Sequence, residues 1–317
     1  MQALWIENNN VSLRNLDEPA EVEKSVVLEV QLAGICGTDL ELMRGYYEFR
    51  GIPGHEFVAK VVSGPKVMVG RRVVVDINFG CGECSQCKSG LHNHCQHRKV
   101  LGIKNHPGAF AEQVVVPGTN LLAVPDALDD RTAVFIEPLA AAMEITEQIQ
   151  FPENARVLII GAGRLGRLIS LVLQKIVSDL SICIRSEVRD KQFDSSLRIV
   201  RPEDVETEYD YVVECSGQSS GFELALTAVK PRGCLIVKST YASKLTLDMS
   251  SIVVNEVRLL GSRCGPMRKA IDSLLKAEID LSTLKIREYS LVDYKLAFEA
   301  ARNPDIDKVM FRPCDKL

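Results

Sequence analysis

A glycine-rich turn constrains the fold of this 317-residue chain more than any other feature of its sequence. The apolar run 157–160 leads directly into GAGRLG (161–166), and an amphipathic helix pattern follows. In a G-x-G-x-x-G sequence between a strand and a helix, the first glycine permits a tight turn, the second lets a pyrophosphate approach the backbone, and the third lets the helix pack closely. We therefore expect Gly161, Gly163 and Gly166 to bind a dinucleotide, with Arg164 and Leu165 at the helix N-terminus that faces the phosphates. The alternative is a structural turn that binds nothing.

The segments around this turn alternate between buried strand patterns and helix patterns. Strand patterns lie at 157–160, 181–184, 209–215 and 233–239, and helix patterns separate the first from the second and the third from the fourth. Such alternation is typical of βαβ units and predicts an α/β fold with a doubly wound parallel sheet. Before residue 125 the chain instead shows short β-type runs broken by Gly, Pro and Asn, which indicates a separate, irregular β domain.

The residues after the second strand pattern bear on the choice between NAD and NADP. An acidic residue is expected there to hold the ribose 2′-hydroxyl of NAD, but the strand ends in Arg185 and Ser186. Since an arginine can pair bidentately with a 2′-phosphate, we favour NADP over NAD. In the alternative, Arg185 is only solvated and Glu187 serves NAD. Ser216, directly after the third strand pattern, is a further candidate cofactor-binding residue.

The ten cysteines are the unusual feature of an otherwise ordinary composition. Four of them, Cys81, Cys84, Cys87 and Cys95, form the pattern C-x2-C-x2-C-x7-C. Four thiolates so close in sequence can surround one tetrahedral Zn²⁺ and leave no open position, so we expect a structural zinc. An iron–sulfur cluster is the rival, but the last gap is too long for the ferredoxin pattern. We expect the flanking His92, His94 and His97 to be loop residues rather than ligands.

Charge and hydropathy exclude other classes of protein. The net charge of −4 provides no basic field, so we expect no nucleic-acid partner, by a zinc knuckle or otherwise, and no charge-driven membrane partner. No run approaches the roughly 18 apolar residues of a membrane span. The first residues lack the basic start and apolar core of a secretory signal, so we expect a cytoplasmic protein.

A second metal-type constellation lies outside the cysteine cluster. Cys36 belongs to GICGTD (34–39), and His55 and Glu56 belong to GHE (54–56). A Cys, a His and a carboxylate make an open site suited to Zn²⁺ with water or substrate as a further ligand. Taken singly, the three residues could equally be a buried cysteine, a hydrogen-bonded histidine and a surface glutamate.

Five motifs together resemble one family. GICGTD, GHE, the four cysteines, Glu137-Pro138-Leu139 and GAGRLG occur in the order found in zinc-dependent medium-chain dehydrogenases/reductases, and the resemblance spans nearly the whole chain. It is strongest to the polyol, threonine and glucose dehydrogenase branches, where Glu-Pro-Leu replaces the third cysteine ligand of classical alcohol dehydrogenases. The resemblance implies a GroES-like β-barrel catalytic domain over 1–138, a Rossmann domain over 139–265, and a segment 266–317 that returns to the first domain.

The resemblance also implies site residues. Cys36 and His55 would bind a catalytic zinc, and Glu56 and Glu137 would supply a carboxylate directly or through water, which makes two zinc ions per chain. Thr38 matches the hydroxyl that relays the alcohol proton, and Asp39 matches a residue that supports the zinc ligands without binding the metal. Lys308 matches a basic residue that contacts the cofactor pyrophosphate.

The expected function follows from these assignments. We expect a zinc-dependent oxidoreductase that transfers a hydride between NADP or NAD and a small-molecule alcohol or carbonyl compound, such as a secondary alcohol, polyol or sugar. We expect it to act as a homodimer or homotetramer. Two alternatives stay open: a zinc-free reductase of the same superfamily, and a non-catalytic NADP(H)- or redox-sensing protein on the same scaffold.

Overall fold

The computed structural model describes residues 1–20, 23–194, 197–241 and 244–314. The chain divides into two compact units. The first unit contains Met1–Glu137, Met267–Lys276 and Lys285–Leu317, and the second contains Pro138–Pro266 and Ala277–Leu284.

The secondary-structure elements are numbered along the chain. The strands are β1 (Gln2–Glu7), β2 (Asn10–Asn15), β3 (Ser25–Gly34), β4 (Glu56–Ser63), β5 (Arg72–Val75), β6 (Asn78–Phe79), β7 (Lys99–Val100), β8 (Gln113–Pro117), β9 (Leu121–Ala123), β10 (Arg156–Ile160), β11 (Asp179–Cys183), β12 (Arg198–Val200), β13 (Tyr209–Glu214), β14 (Val229–Val237), β15 (Arg258–Gly261), β16 (Ile286–Ser290) and β17 (Lys308–Arg312). The α-helices are α1 (Gly37–Leu42), α2 (Ser85–Lys88), α3 (Asp130–Val134), α4 (Ile136–Gln148), α5 (Arg164–Leu173), α6 (Ser219–Ala228), α7 (Met249–Val254), α8 (Met267–Leu275) and α9 (Tyr294–Ala300).

A seven-stranded sheet organises the first unit. Its strands run in the order β16-β17-β3-β4-β5-β9, and β8 pairs with β3. The C-terminal strand β17 lies antiparallel to β3, with Met310 opposite Gly34. Phe110, Phe298 and Phe311 meet edge to face in the core, at centroid distances of 5.0 to 6.4 Å. Because such pairs contribute about 0.5–1.5 kcal/mol each beyond burial, the C-terminal phenylalanines stabilise the core of the first unit.

A six-stranded parallel sheet organises the second unit. Its order is β12-β11-β10-β13-β14-β15, and every neighbouring pair is parallel. Counted from β10, this is the order 3-2-1-4-5-6 of a dinucleotide-binding doubly wound fold, so the predicted α/β class is confirmed. The strand order reverses between β10 and β13, where such folds bind their ligands at the carboxyl ends of the strands.

The C-terminal segment 266–317 is divided between the two units. Within it, Ala277–Leu284 belongs to the second unit. The physical reason is a hydrogen-bonded anchor: the guanidinium of Arg167 in α5 donates to the carbonyl and the hydroxyl oxygen of Thr283, at 3.2 and 3.0 Å. Arg167 is 3% exposed, so these bonds are well shielded from water.

Hydropathy of the helices gives one further fact. Within the residues that the structure describes, no helix combines the length and the apolar character that a membrane crossing requires.

Candidate functional site

Cys36 stands at the junction of a strand and a short helix in the first unit. β3 ends two residues earlier, and Cys36 is the N-cap residue of α1. Its backbone N–H donates to Oδ2 of Asp39 at 2.8 Å, so the aspartate caps the helix that presents the thiol. Thr38 lies in the first turn of the same helix, with its Oγ1 3.8 Å from the Cys36 sulfur.

Asp39 also holds the second segment of the site. The carboxylate is fully buried, and its Oδ1 accepts a hydrogen bond from the backbone N–H of Gly54 at 3.2 Å. The same oxygen lies 3.5 Å from Nδ1 of His55. Gly54 has φ +96°, and a Cβ atom there would lie 2.4 Å from the ring of Phe110. Only glycine fits this turn without strain. Because its carboxylate accepts hydrogen bonds from the backbone of both segments, Asp39 joins the two loops that carry Cys36 and His55.

Cys36, His55 and Glu56 form a compact group of possible metal ligands, here called the ligand group. The Cys36 sulfur, an imidazole nitrogen and a carboxylate oxygen all lie within 4.8 Å of one another. Burial lowers the pKa of His55, but the charge of Asp39 and hydrogen bonding to Asp39 and Cys36 outweigh that effect and raise the pKa of His55 well above its usual value. The group's sulfur, nitrogen and oxygen donors are those that Zn²⁺ takes in catalytic sites. The residues present fit a zinc ion.

Two further groups act on the carboxylate side of the ligand group. The ammonium of Lys308 contacts Oε2 of Glu56, and both side chains are at most 2% exposed. Glu137 lies near these groups and is influenced by their charges. Burial, together with the charge of Glu56, raises the pKa of Glu137 to about 7, although the charge of His55 acts in the opposite direction. Within the described part of the chain, the ligand group contains Glu56 but not Glu137. The carboxylate partner of Lys308 was not expected from the sequence, and its contact with a cofactor pyrophosphate stays a prediction.

The predicted four-cysteine lobe (81–95) also brings its sulfurs together. The ligand atoms of Cys81, Cys84, Cys87 and Cys95 all lie within 4.8 Å of one another. The sulfurs of Cys84 and Cys95 are 3.7 Å apart, close to the roughly 3.8 Å between thiolates around a tetrahedral zinc at 2.3 Å. Backbone N–H groups of Glu83 and Cys84 lower the pKa of Cys81 to about 6, which favours a thiolate. The lobe fits a zinc ion too.

The histidines near the lobe do not join its sulfurs. In the described residues the cluster is made of the four cysteines alone. His92 instead pairs with a carboxylate oxygen of Asp76 at 2.9 Å, and this pair is partly exposed.

The three glycines of the turn in the second unit have different surroundings. Gly161 has φ +115°, and a Cβ atom there would lie 2.7 Å from the backbone nitrogen of Ser216. A Cβ atom on Gly166 would lie 1.9 Å from the carbonyl oxygen of Gly161. A Cβ atom on Gly163 would have no other atom within 4 Å, so the backbone there is open to a ligand. Arg164 and Leu165 are the first residues of α5, whose N-terminus follows the open glycine.

Arg185 and Ser186 follow β11 at the same edge of the sheet. Arg185 is exposed and donates from Nη2 to the hydroxyl oxygen of Ser220 at 2.6 Å. Ser186 is the N-cap residue of the short 3-10 helix that follows, Glu187–Gln192. Arg201, which the sequence did not single out, pairs through both guanidinium nitrogens with Asp190, at 3.0 and 2.5 Å. Of these two arginines, Arg201 is neutralised, whereas Arg185 binds an uncharged hydroxyl.

Comparison with known proteins agrees with this geometry. Residues 22–126 match the family model of the alcohol dehydrogenase GroES-like domain. A sorbitol dehydrogenase from Halalkalibacterium halodurans is 27% identical, over 94% of each chain. The alcohol dehydrogenase rspB from Escherichia coli CFT073, solved with NADH, superposes with a TM-score of 0.90 at 26% identity and covers 99% of each chain. A Sinorhizobium meliloti 1021 protein of the zinc-binding dehydrogenase type, bound to NADP, gives 0.86 at 27% identity and covers 98% of this chain and 99% of its own.

These similarities and the fold identify the class. The chain contains an alcohol dehydrogenase GroES-like domain and a Rossmann domain, and over nearly its whole length it is similar to zinc-type medium-chain dehydrogenases/reductases. It is an NAD(P)-dependent oxidoreductase of the alcohol dehydrogenase type.

Proposed function

We propose that this protein is a zinc-dependent dehydrogenase that transfers a hydride between NADP(H) and a secondary alcohol, polyol or sugar, or the corresponding carbonyl compound. The observation that carries the proposal is the ligand group: Cys36, His55 and Glu56 come within 4.8 Å of one another. They lie in a chain whose other unit has the strand order and the open glycine turn of a dinucleotide-binding fold.

Each residue of the first-unit site has a separate task in this proposal. Zn²⁺ held by Cys36, His55 and Glu56 would supply a Lewis acid that favours loss of the alcohol proton. Thr38, beside the Cys36 sulfur, accepts that proton on its hydroxyl and passes it toward solvent. We assign the carboxylate ligand to Glu56 rather than Glu137 because Glu56 belongs to the compact group.

Asp39 and Lys308 support this arrangement from behind. The carboxylate of Asp39 accepts hydrogen bonds from the backbone N–H groups of Cys36 and Gly54, and thereby fixes the distance between the thiol and the imidazole. Lys308 balances the buried negative charge of Glu56, which lies near a second carboxyl group on Glu137.

The preference for NADP rests on Arg185. Its guanidinium is exposed and its hydrogen-bond acceptor, the Ser220 hydroxyl, is uncharged, so the positive charge is available to a 2′-phosphate. Replacing Arg185 by Asp removes that charge and introduces repulsion. We expect the ratio of kcat/KM for NADP⁺ over NAD⁺ to fall by about 100-fold, since an ion pair of this kind contributes roughly 1.5–3 kcal/mol. An unchanged ratio in steady-state kinetics would remove the basis for the NADP preference.

The substrate class rests on the relatives. The matching chains include a sorbitol dehydrogenase and a D-arabitol-phosphate dehydrogenase from Enterococcus avium, which act on polyols or polyol phosphates by their names. We therefore place polyols first among the candidate substrates, ahead of simple secondary alcohols and sugars.

We also propose a homodimer or homotetramer. β15 is an edge strand of the six-stranded sheet, and apolar side chains around it are exposed: Met249, Val253, Val254 and Leu259. Such an edge favours association with another chain. Sedimentation equilibrium tests this, and a monomer at micromolar concentration would contradict it.

One combined experiment tests the whole proposal. The purified protein is assayed with NADP⁺ and NAD⁺ against secondary alcohols, polyols, sugars and amino alcohols, and its zinc content is measured. We expect turnover and two zinc ions per chain. At most one zinc with turnover on activated double bonds would indicate the zinc-free reductase, and cofactor binding without any turnover would indicate the sensing protein.

A further inference from the structure

A buried carboxylate lies at the carboxyl end of β13, outside the site described above. Glu214 is the last residue of this strand and is 0% exposed. Its Oε1 accepts hydrogen bonds from the backbone N–H and the hydroxyl of Ser216, at 2.7 and 2.5 Å. Its Oε2 accepts a hydrogen bond from the hydroxyl of Tyr241. Neutral donors thus satisfy both oxygens.

Tyr241 is well suited to this role. Burial and the hydrogen bond to Glu214 raise the pKa of Tyr241, so its hydroxyl stays protonated and can only donate to the carboxylate. Its ring packs edge to face near Phe222 of α6, at 6.3 Å between centroids. A buried carboxylate is costly unless its oxygens are hydrogen-bonded, so loss of the Tyr241 hydroxyl leaves one oxygen of Glu214 without its donor.

The Glu214 network determines the position of the loop between β13 and α6. The hydroxyl oxygen of Ser216 accepts from the backbone N–H of Gln218, at 3.2 Å, just before α6 begins. Gly217, between Ser216 and Gln218, donates its N–H to the hydroxyl of Ser239 at 2.9 Å. Residues 239 and 241, which follow β14, therefore hold the loop 215–218 from the other side.

This loop packs directly on the glycine turn. The backbone nitrogen of Ser216 lies 2.7 Å from where a Cβ atom on Gly161 would stand, and the Cys215 N–H donates to the carbonyl of Ile160 at 2.9 Å. β10 and β13 are the two strands between which the strand order reverses, and ligands of doubly wound folds bind at that position. A displacement of the loop would therefore disturb the cofactor-binding turn itself.

We infer that Glu214 and Tyr241 are a positioning pair for the nicotinamide cofactor: they hold Ser216 and the loop 215–218 against the glycine turn. The inference rests on the proposed cofactor of the second unit. In this role neither side chain contacts the cofactor, and both affect cofactor binding through Ser216.

The experiment measures NADPH affinity by nicotinamide fluorescence in Tyr241→Phe and Glu214→Gln, with Tyr209→Phe as a matched control. Tyr209 lies at the other end of β13, and its buried hydroxyl has no hydrogen-bond partner among the residues that the structure describes. Since one hydrogen bond to a charged group is lost, we expect the Kd to rise about tenfold in Tyr241→Phe. In Glu214→Gln, the amide keeps an acceptor for Ser216, so we expect a smaller rise of roughly threefold. The control should keep the wild-type Kd.

Further readouts separate positioning from stability alone. We expect kcat at saturating cofactor to stay within about twofold of the wild type, because the reacting groups lie elsewhere. In the double variant the Kd should rise by less than the product of the two single effects, since both act on one network. If Glu214→Gln does not fold, Tyr241→Phe decides the question, because it keeps the carboxylate and the ring.

Distinct results overturn the inference and the proposed function. A lower unfolding temperature with an unchanged Kd in Tyr241→Phe would show that the pair is only structural. A wild-type protein that binds neither NADPH nor NADH would overturn the proposed cofactor, and the positioning role with it.

Discussion

The two metal-type groups of the first unit have similar ligand chemistry and opposite construction. The four-cysteine lobe takes its ligands from one stretch of 15 residues, 81–95, and Cys81 is exposed. The ligand group takes Cys36 from the start of α1, His55 and Glu56 from the start of β4, and a charge partner, Lys308, from β17. His55 and Glu56 are at most 4% exposed. A local loop can form the first group, whereas the second requires the folded sheet.

This contrast separates stability from catalysis. A closed set of four thiolates leaves no position for substrate and stabilises the fold when metal binds, because the unfolded chain has no preformed site. A set of three ligands, of which His55 and Glu56 are buried, keeps a position open and depends on neighbours such as Asp39 for its geometry.

The largest effect is expected for Cys36→Ser. Loss of a ligand from the open group removes the Lewis acid, so turnover should fall by roughly a thousandfold or more. NADPH affinity and the circular dichroism spectrum should stay as in the wild type. Retained turnover would disprove the catalytic assignment of the ligand group.

Cys84→Ser should instead act on the fold. Loss of one thiolate from the closed set should reduce the zinc content by one ion and lower the free energy of unfolding by on the order of 3 kcal/mol. Urea unfolding with zinc quantification measures both. Unchanged stability would mean that the lobe is not structural, and the contrast with Cys36 would disappear.

Asp39→Asn tests the support behind the ligand group. The amide can still accept one hydrogen bond, but it removes the negative charge next to His55. Loss of a group that orients metal ligands through hydrogen bonds typically costs about 10–100-fold in metal affinity or activity, and we expect a loss in that range. Zinc competition with a chelator measures it. Glu41→Gln is the matched control, since Glu41 lies on the same helix and pairs with Arg44 at the surface.

His92→Asn should have the smallest effect. The variant removes the partly exposed pair with Asp76, and such pairs contribute about 0–1 kcal/mol. Zinc content and turnover should not change. Loss of one zinc ion would instead identify His92 as a ligand and overturn the four-thiolate description of the lobe.

Much of the fold was predictable because its signals are local. The strand patterns at 157–160, 181–184 and 209–215 became β10, β11 and β13, since periodic apolar residues determine which face of a segment is buried. The place of 277–284 in the second unit has a different origin, because the hydrogen bond between Arg167 and Thr283 joins residues 116 positions apart.

The sequence by itself determined the two features that depend on local geometry. The spacing of four cysteines brings their sulfurs within reach of one ion, and Gly161 and Gly166 are required by a positive φ or by backbone contacts that a Cβ atom would violate. The resemblance to a family added the roles of Cys36, His55 and Thr38.

Only the tertiary structure decided which charged groups meet. Lys308 reaches Glu56 across 252 positions because β17 pairs with β3, beside β4, and Tyr241 reaches Glu214 because β14 lies beside β13. Arg185 is available while Arg201 is neutralised because Asp190 lies next to the latter. Such pairs follow from strand order rather than from spacing along the chain, and a buried charge is tolerated only where that order supplies a partner.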